Sequence, residues 1–176
     1  TPNDEQLWYM KQGTAAFCHF GPNTFNNVEW GENYGTKSPA EIFTLSDDFD
    51  AEELVKTVKE AGFSRLMLTA KHHDGFCLWP TQLTEYCIRN TPYKDGKGDT
   101  NYKGGKGDIL EEISDACTKY NLDMGLYLSP WDIHEDKYGC FGDNNNTKSN
   151  EGKGEFTDYN KLYTTWIREI CTAKKA

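Results

Sequence analysis

Apolar residues along this chain alternate between stretches with helical spacing and short, nearly continuous runs. In FDAEELVKTVKEAG (49–62), Leu54, Val55, Val58 and Ala61 recur at the three- and four-residue steps of one helical face. The flanks mark its limits. Asp50 is placed to cap the first turn with Glu53 answering from the third helical position, Phe49 and Leu54 suit a hydrophobic staple, and Gly62 supplies a left-handed stop. Arg65-Leu66-Met67-Leu68-Thr69-Ala70 follows directly, a run apolar enough for a strand buried on both faces. The unit then repeats. GDILEEISDACTKYN (107–121) sets Ile109, Ile113, Ala116, Cys117 and Tyr120 on one face, with Asp108 and Glu111 as a capping box, and Met124-Gly125-Leu126-Tyr127-Leu128 is the strand after it. Residues 14–20 read as an opening strand. DYNKLYTTWIREICTAKK (158–175) reads as a third helix with Tyr159, Tyr163, Trp166 and Ile170 inward.

The predicted order, strand and helix three times over, is α/β: a parallel sheet covered by its crossover helices, either open and doubly wound or closed as a barrel. Loop lengths are unequal. The helix-to-strand links, Gly62-Phe63 and Asn121-Leu122, are about two residues, whereas the links after each strand run over roughly 21–49, 71–107 and 131–157, far beyond the usual few residues. All the elaboration therefore sits at the carboxyl ends of the strands, the working face in barrels and open sheets alike. A closed barrel takes about 250 residues, and three βα units cannot close one. The 176 residues thus predict one domain's worth of chain that lacks later strands.

Composition narrows the partner. The net charge of −9 argues against a nucleic-acid surface, which requires clustered Lys and Arg. No apolar run approaches the roughly 20 residues of a membrane span. Ten Tyr and five Trp supply amphipathic rings for a pocket whose ligand is part apolar and part hydroxylated. The six cysteines, Cys18, Cys77, Cys87, Cys117, Cys140 and Cys171, contain no C-x-x-C pair and read as small buried hydrophobes, not as a disulfide framework or a zinc site. DGKGDTNYKGGKGD (95–108) precedes a helix but lacks the spacing of a phosphate loop and reads as a flexible surface loop, as does CFGDNNNTKSNEGKGEF (140–156). Within the latter, Asn145-Asn146-Thr147 is formally a glycosylation acceptor.

The candidate chemistry lies where strands end. His19 closes the first, Lys71-His72-His73-Asp74 the second and Ser129-Pro130-Trp131 the third, so three of the four histidines share the working face. One use of such a cluster is a metal site, with His19, His72 and His73 around zinc and Asp74 nearby. Against it, adjacent residues on an extended strand point to opposite sides, which separates His72 from His73 unless the strand has already ended. The other use is a sugar pocket. Neutral imidazoles both donate and accept, which suits hydroxyls on one edge of a pyranose, while Trp30 or Trp131 covers its apolar face.

HFGPNTF (19–25) followed by Glu29-Trp30, then TAKHHDGFCLWP (69–80), then GLYLSPWD (125–132), in that order, resembles the α-L-fucosidases of glycoside hydrolase family 29. The resemblance runs from about Trp8 to Trp131 and, more loosely, through the third helix. It implies a partial (β/α)8 barrel, the first three or so βα units, with residues 1–176 as the N-terminal portion of a catalytic domain cut off before barrel closure. It implies a retaining exoglycosidase that removes terminal L-fucose through a covalent intermediate on an Asp. By position in the motifs, the fucose-contacting set is His19, Glu29, Trp30, His72, His73 and Tyr127. L-Fucose is a 6-deoxy sugar, so Trp30 with Tyr127 suit its methyl group, and the histidines with Glu29 suit its hydroxyls. Trp79 and Trp131 are also consistent with plain packing under the loops, and Tyr127 with a filled barrel layer.

The same resemblance puts the nucleophilic Asp on a fourth strand and the general acid later still, both beyond Ala176. Asp74 and Asp132 are available carboxylates to which the motifs give no catalytic role. No cofactor or metal is expected. The expected partner is a small fucosylated glycan, with self-association or the rest of the chain covering the open sheet edge. A catalytically inactive sugar-binding or structural piece is the alternative, and a metal-dependent barrel hydrolase the third reading. The opening Thr1-Pro2-Asn3 is compatible with a trimmed piece or a processed secreted protein. A secreted, periplasmic or lysosome-like setting is the expectation for the whole protein, and localisation stays open.

Overall fold

The computed structural model describes residues 1–31, 37–45, 49–95, 107–134 and 156–172, excluding the side chains of 94–95 and 156–158. Cys140, Asn145-Asn146-Thr147 and nearly all of the glycine- and lysine-rich stretch 95–108 lie outside the described residues. The elements run α1 (Asp4–Lys11), β1 (Ala15–Cys18), α2 (Pro22–Asn26), α3 (Pro39–Ile42), α4 (Ala51–Glu60), β2 (Arg65–Lys71), α5 (Ile109–Lys119), β3 (Asp123–Leu128) and α6 (Phe156–Thr172), with short 3₁₀ turns at Ile88–Asn90 and Pro92–Asp95. The three strands form one parallel sheet in the order β1-β2-β3. The α/β class and the adjacency of the strands follow the sequence reading.

Local signals explain the frame. Asp50 accepts the backbone N–H groups of Glu52 and Glu53 at 2.8 and 3.1 Å, occupying two donors that helix geometry leaves unpaired. Asp108 does the same for Glu111 at 3.0 Å. Gly62 takes φ +88° just past α4, a left-handed turn that an L side chain resists. On the helix-covered side of the sheet Leu66, Leu68 and Ala70 are fully buried, against Val55 of α4, Ile109, Ile113, Ala116 and Cys117 of α5, and Trp166 and Ile170 of α6. Each such large side chain removed from water contributes about 1.5–3 kcal/mol, which is why the helices stay on this side.

Several expectations need correcting. Ala61 was assigned to the buried face of its helix but is exposed, and Ala51 takes the inward place. The helix-to-strand links are slightly longer than two residues, since α4 ends at Glu60 before Arg65 and α5 at Lys119 before Asp123. Cys77, Cys87 and Cys117 are buried thiols as expected, but Cys171 is exposed. The helix α1 was not anticipated. Its start is nonetheless marked, because Asn3 and Gln6 form a reciprocal capping box; its side chains bury nothing fully, so no apolar face signals it. Among the described residues no helix is long and apolar enough to cross a membrane.

Candidate functional site

Three backbone devices bring the strand ends into one place. β1 stops at Cys18, and the Thr69 hydroxyl of β2 both accepts from Phe20 N at 3.0 Å and donates to Phe20 O at 2.9 Å, which fixes the turn that carries His19. In β2 the register slips between Thr69, opposite Tyr127, and Lys71, opposite Leu128. The strand then ends, and the chain turns at Gly75, whose φ is +84°. A Cβ at Gly75 would collide with the Asp132 carboxylate, so only glycine permits this approach.

Because β2 ends at Lys71, His72 and His73 do not alternate as strand residues. Their rings lie 4.3 Å apart, centre to centre, tilted by 43°. The condition under which the sequence allows the two rings to lie together, a strand already ended, is therefore met. His72 is 5.5 Å from the His19 ring and 5.9 Å from Tyr127, which is itself 5.7 Å from Phe17. On the other side His73 is 4.6 Å from Trp131 and 6.1 Å from Trp30, with Trp30 and Trp131 5.4 Å apart. The row joins all the predicted aromatic and imidazole groups. Among the described residues no set of three His, Cys, Asp or Glu side chains is arranged to hold a metal ion.

A cavity of about 390 Å³ opens beside this row. His19, Glu29 and His72 line it together with Asn23, Asp74 and an apolar wall of Phe20, Pro22, Val28, Phe76 and Leu78. His73, Trp30 and Tyr127 are not in its lining and reach it only through the ring row. Glu29 and Trp30 are both exposed. Their loop is held from behind by Asn23, whose side-chain N–H groups reach the Glu29 carbonyl at 3.0 Å and the Asp74 carboxylate at 3.1 Å.

Electrostatics fix what these groups do near neutral pH. Burial, with smaller contributions from His73, His19 and Lys71, pushes His72 down to about 4. Burial and the Lys71 ammonium also lower His73, against the weaker pull of Glu29. Both rings are thus neutral, each with a donor and an acceptor. His73 Nδ1 meets Ser129 Oγ at 2.7 Å, while the buried Nδ1 of His72 has no protein partner. Such a pair has the donors and acceptors to meet hydroxyls without adding charge.

The two carboxylates set aside on sequence grounds are both buried, Asp74 at 3% and Asp132 at 0% exposure. Burial pushes Asp74 up to about 6, although Phe76 N–H (2.7 Å) and Asn23 stabilise its carboxylate. Asp132 receives the His134 N–H at 3.1 Å and pairs with Lys71 at 2.9 Å. The sequence reading gives Asn23 and Ser129 no role even though they stand inside HFGPNTF and GLYLSPWD, because their partners lie 51 and 56 residues away. The fourth histidine, His134, also sits past the third strand and stacks on Tyr86 at 3.8 Å.

Comparison with known proteins places this arrangement. The family profile described as alpha-L-fucosidase matches residues 2–175. A glycoside hydrolase family 29 fucosidase of Ruminococcus gnavus, solved in complex with fucose, is 54% identical, with a TM-score of 0.77 over 96% of this chain and 32% of its own. Alpha-L-fucosidase 1 of Arabidopsis thaliana is 37% identical over 97% of this chain. The chain spans 28% of that plant protein, less than a third of its length. With a profile match across nearly every residue and solved relatives of the same α/β architecture, this chain belongs to the α-L-fucosidase family, glycoside hydrolase family 29.

Proposed function

We propose that this chain is the N-terminal part of the catalytic domain of a retaining α-L-fucosidase, an enzyme that releases terminal α-L-fucose from fucosylated glycans. Residues 1–176 supply much of its fucose pocket. The observation that carries this reading is the meeting of His19, His72 and His73 at the carboxyl ends of two adjacent parallel strands, β1 and β2, beside a cavity that Glu29 also lines. The neutral imidazoles of His72 and His73, with His19 beside them, hydrogen-bond the sugar hydroxyls. Trp30, joined to the row through His73 and Trp131, and Tyr127, joined to it through His72, provide apolar surface for the pyranose and its C6 methyl group.

The architecture we assign is a (β/α)8 barrel of which the chain holds three units. A doubly wound sheet reverses its strand order at a switch point. Here the order is sequential, and right-handed crossovers then put the crossover helices α4 and α5 on one side of the sheet. In keeping with this, α4 and α5 pack against one another. The opposite sheet face is left partly open, with Phe17 50% exposed and Tyr127 half-buried, as suits strands whose inward side chains fill barrel layers with those of further strands. The nucleophile and the general acid, two carboxyl groups about 5–5.5 Å apart in a retaining enzyme, are assigned to the part of the relatives that this chain does not span.

The test is hydrolysis of an aryl α-L-fucoside by the complete protein, with the anomeric configuration of the product followed by NMR. Release of fucose with net retention is expected. Fucose binding without turnover would make the protein a sugar-binding module. Turnover that disappears with a chelator and returns with zinc would make it a metal-dependent hydrolase.

A further inference from the structure

A buried charge joins the loop after β3 to the end of β2. The Lys71 side chain is completely buried; its ammonium donates to the Trp131 carbonyl at 3.2 Å, lies 2.9 Å from Asp132 Oδ2, and sits 5.4 Å over the Trp166 ring of α6. The directed hydrogen bond goes to the carbonyl, and Asp132 meets the ammonium as a charge. Asp132 in turn caps His134 N–H through Oδ1 at 3.1 Å. Two backbone bonds run alongside, Ser129 N to Lys71 O and Ile133 N to His73 O, both 2.9 Å. Each member of the pair is a close sequence neighbour of a site group: Lys71 precedes His72-His73, and Asp132 follows Trp131.

Taking two ions out of water is costly, and for fold stability alone an apolar pair of equal volume serves as well or better. What an apolar pair cannot supply is direction. The ammonium selects the Trp131 carbonyl and the Asp132 carboxylate together, and so sets the rotation of the Ser129–Asp132 turn. That rotation brings Ser129 Oγ to His73 Nδ1 at 2.7 Å and to Trp131 N–H at 3.1 Å, and brings the Trp131 ring to 4.6 Å from His73. We propose that Lys71 and Asp132 are positioning residues whose buried ion pair fixes the orientation of His73 and Trp131, and through them the wall that Trp131 shares with Trp30. As a statement about sugar recognition this rests on the fucose-pocket reading; as a statement about His73 it stands without it.

The experiment labels histidine with ¹⁵N and reads the Nδ1 and Nε2 shifts of His73 in a long-range ¹H–¹⁵N spectrum, assigned by the signals lost in His73→Gln. Lys71→Met alone leaves a carboxylate buried without its partner and is expected to fold poorly. The informative proteins are Lys71→Met/Asp132→Leu, apolar and of similar volume, and Asp132→Asn, which keeps the cap on His134 and removes only the charge. In each variant that keeps the wild-type circular dichroism, His73 is expected to move toward the averaged shifts of a free imidazole. Its affinity for L-fucose, titrated in the same spectra, is expected to fall by at least about tenfold. Folded variants with His73 shifts unchanged and fucose affinity within about twofold of wild type would overturn the inference. Unfolding of both variants would overturn it too, since the pair would then be needed for the fold itself. If fucose moves no signal in the wild-type protein, the pocket reading fails while the His73 shifts still judge the positioning role.

Discussion

Asn23 and Asp74, 51 residues apart in the chain, meet in the wall of the candidate pocket at 3.1 Å, and the same Asn23 amide holds the Glu29 carbonyl at 3.0 Å. One side chain thus ties the loop that carries Glu29 and Trp30 to the turn that carries His72 and His73. Asn23→Ala leaves a buried carboxylate short of a donor, at a cost of about 1–3 kcal/mol. Asn23→Asp, which adds a like charge beside Asp74, costs more than the alanine change. Urea denaturation followed by circular dichroism reads the difference as a shift in midpoint at constant slope.

Gly62 and Gly75 have nearly the same backbone conformation, φ +88° and +84°, in different surroundings. A Cβ at Gly62 meets nothing within 4 Å, whereas one at Gly75 runs into Asp132 and the His134 side chain. Gly62→Ala is therefore expected to cost only the left-handed backbone penalty, about 1–2 kcal/mol. Gly75→Ala adds the displacement of Asp132 from Lys71 and is expected to exceed it by at least about 1 kcal/mol. Equal losses in thermal or denaturant unfolding would mean that the Asp132 contact yields at no cost.

The difference between these two glycines marks what was legible in the sequence. Gly62 announces itself as a helix stop because the evidence is local, within one turn of Val58, and the same holds for the caps at Asp50 and Asp108. The three strands and the inward faces of α5 and α6 were likewise readable from periodicity. Gly75 is a motif letter until Asp132 is known to lie against it. The joint exposure of His72 and His73 to one side depends on where β2 ends and on its register slip, neither of which periodicity encodes. The partners Asn23–Asp74, His73–Ser129 and Lys71–Asp132 are contacts across the sheet, invisible to any window of neighbouring residues. The motifs identified which residues gather, and tertiary geometry alone gives the order in which they touch.

Acid stability provides a test with opposing signs. The folded His72 is held at about 4 against an ordinary 6.5, so between those values the unfolded chain binds a proton that the folded chain refuses, and stability falls as pH drops. Asp74 is the reverse. Its folded value near 6 lies above the ordinary 3.8, so between them the folded carboxyl keeps a proton that the unfolded chain releases, and the cost of burying it ionised is relieved as pH drops. The two contributions offset one another from about pH 6 to pH 4. Asp74→Asn removes the relieving half and is expected to lose stability more steeply than wild type on acidification across this window. His72→Gln, lacking the other half, is expected to lose it less steeply. Unfolding midpoints at half-unit pH intervals check both slopes.

The sharpest prediction concerns turnover. Retaining hydrolysis needs one carboxylate free to attack the anomeric carbon and another able to protonate the leaving oxygen. Within this chain Asp74 is buried and accepts Phe76 N–H and the Asn23 amide, and Asp132 is buried against Lys71. Glu29 lines the same cavity as Asp74, whose carboxylate is already engaged by Phe76 N–H and Asn23. The 176 residues alone are therefore expected to bind L-fucose weakly and to hydrolyse an aryl α-L-fucoside at a negligible rate, since part of the pocket wall is also missing. On the proposed fucose-pocket reading, His72→Ala and His73→Ala in the complete protein each remove hydroxyl contacts of the kind that strengthen as an oxocarbenium-like transition state forms. Each change is expected to lower kcat/KM at least about tenfold, or about 1.4 kcal/mol, with kcat falling as well as KM rising. Ser129→Ala, which frees His73 without removing it, is expected to fall between these variants and wild type. Robust turnover by the 176-residue chain would assign the chemistry to Glu29, Asp74 or Asp132 and overturn the division of labour proposed for this family member.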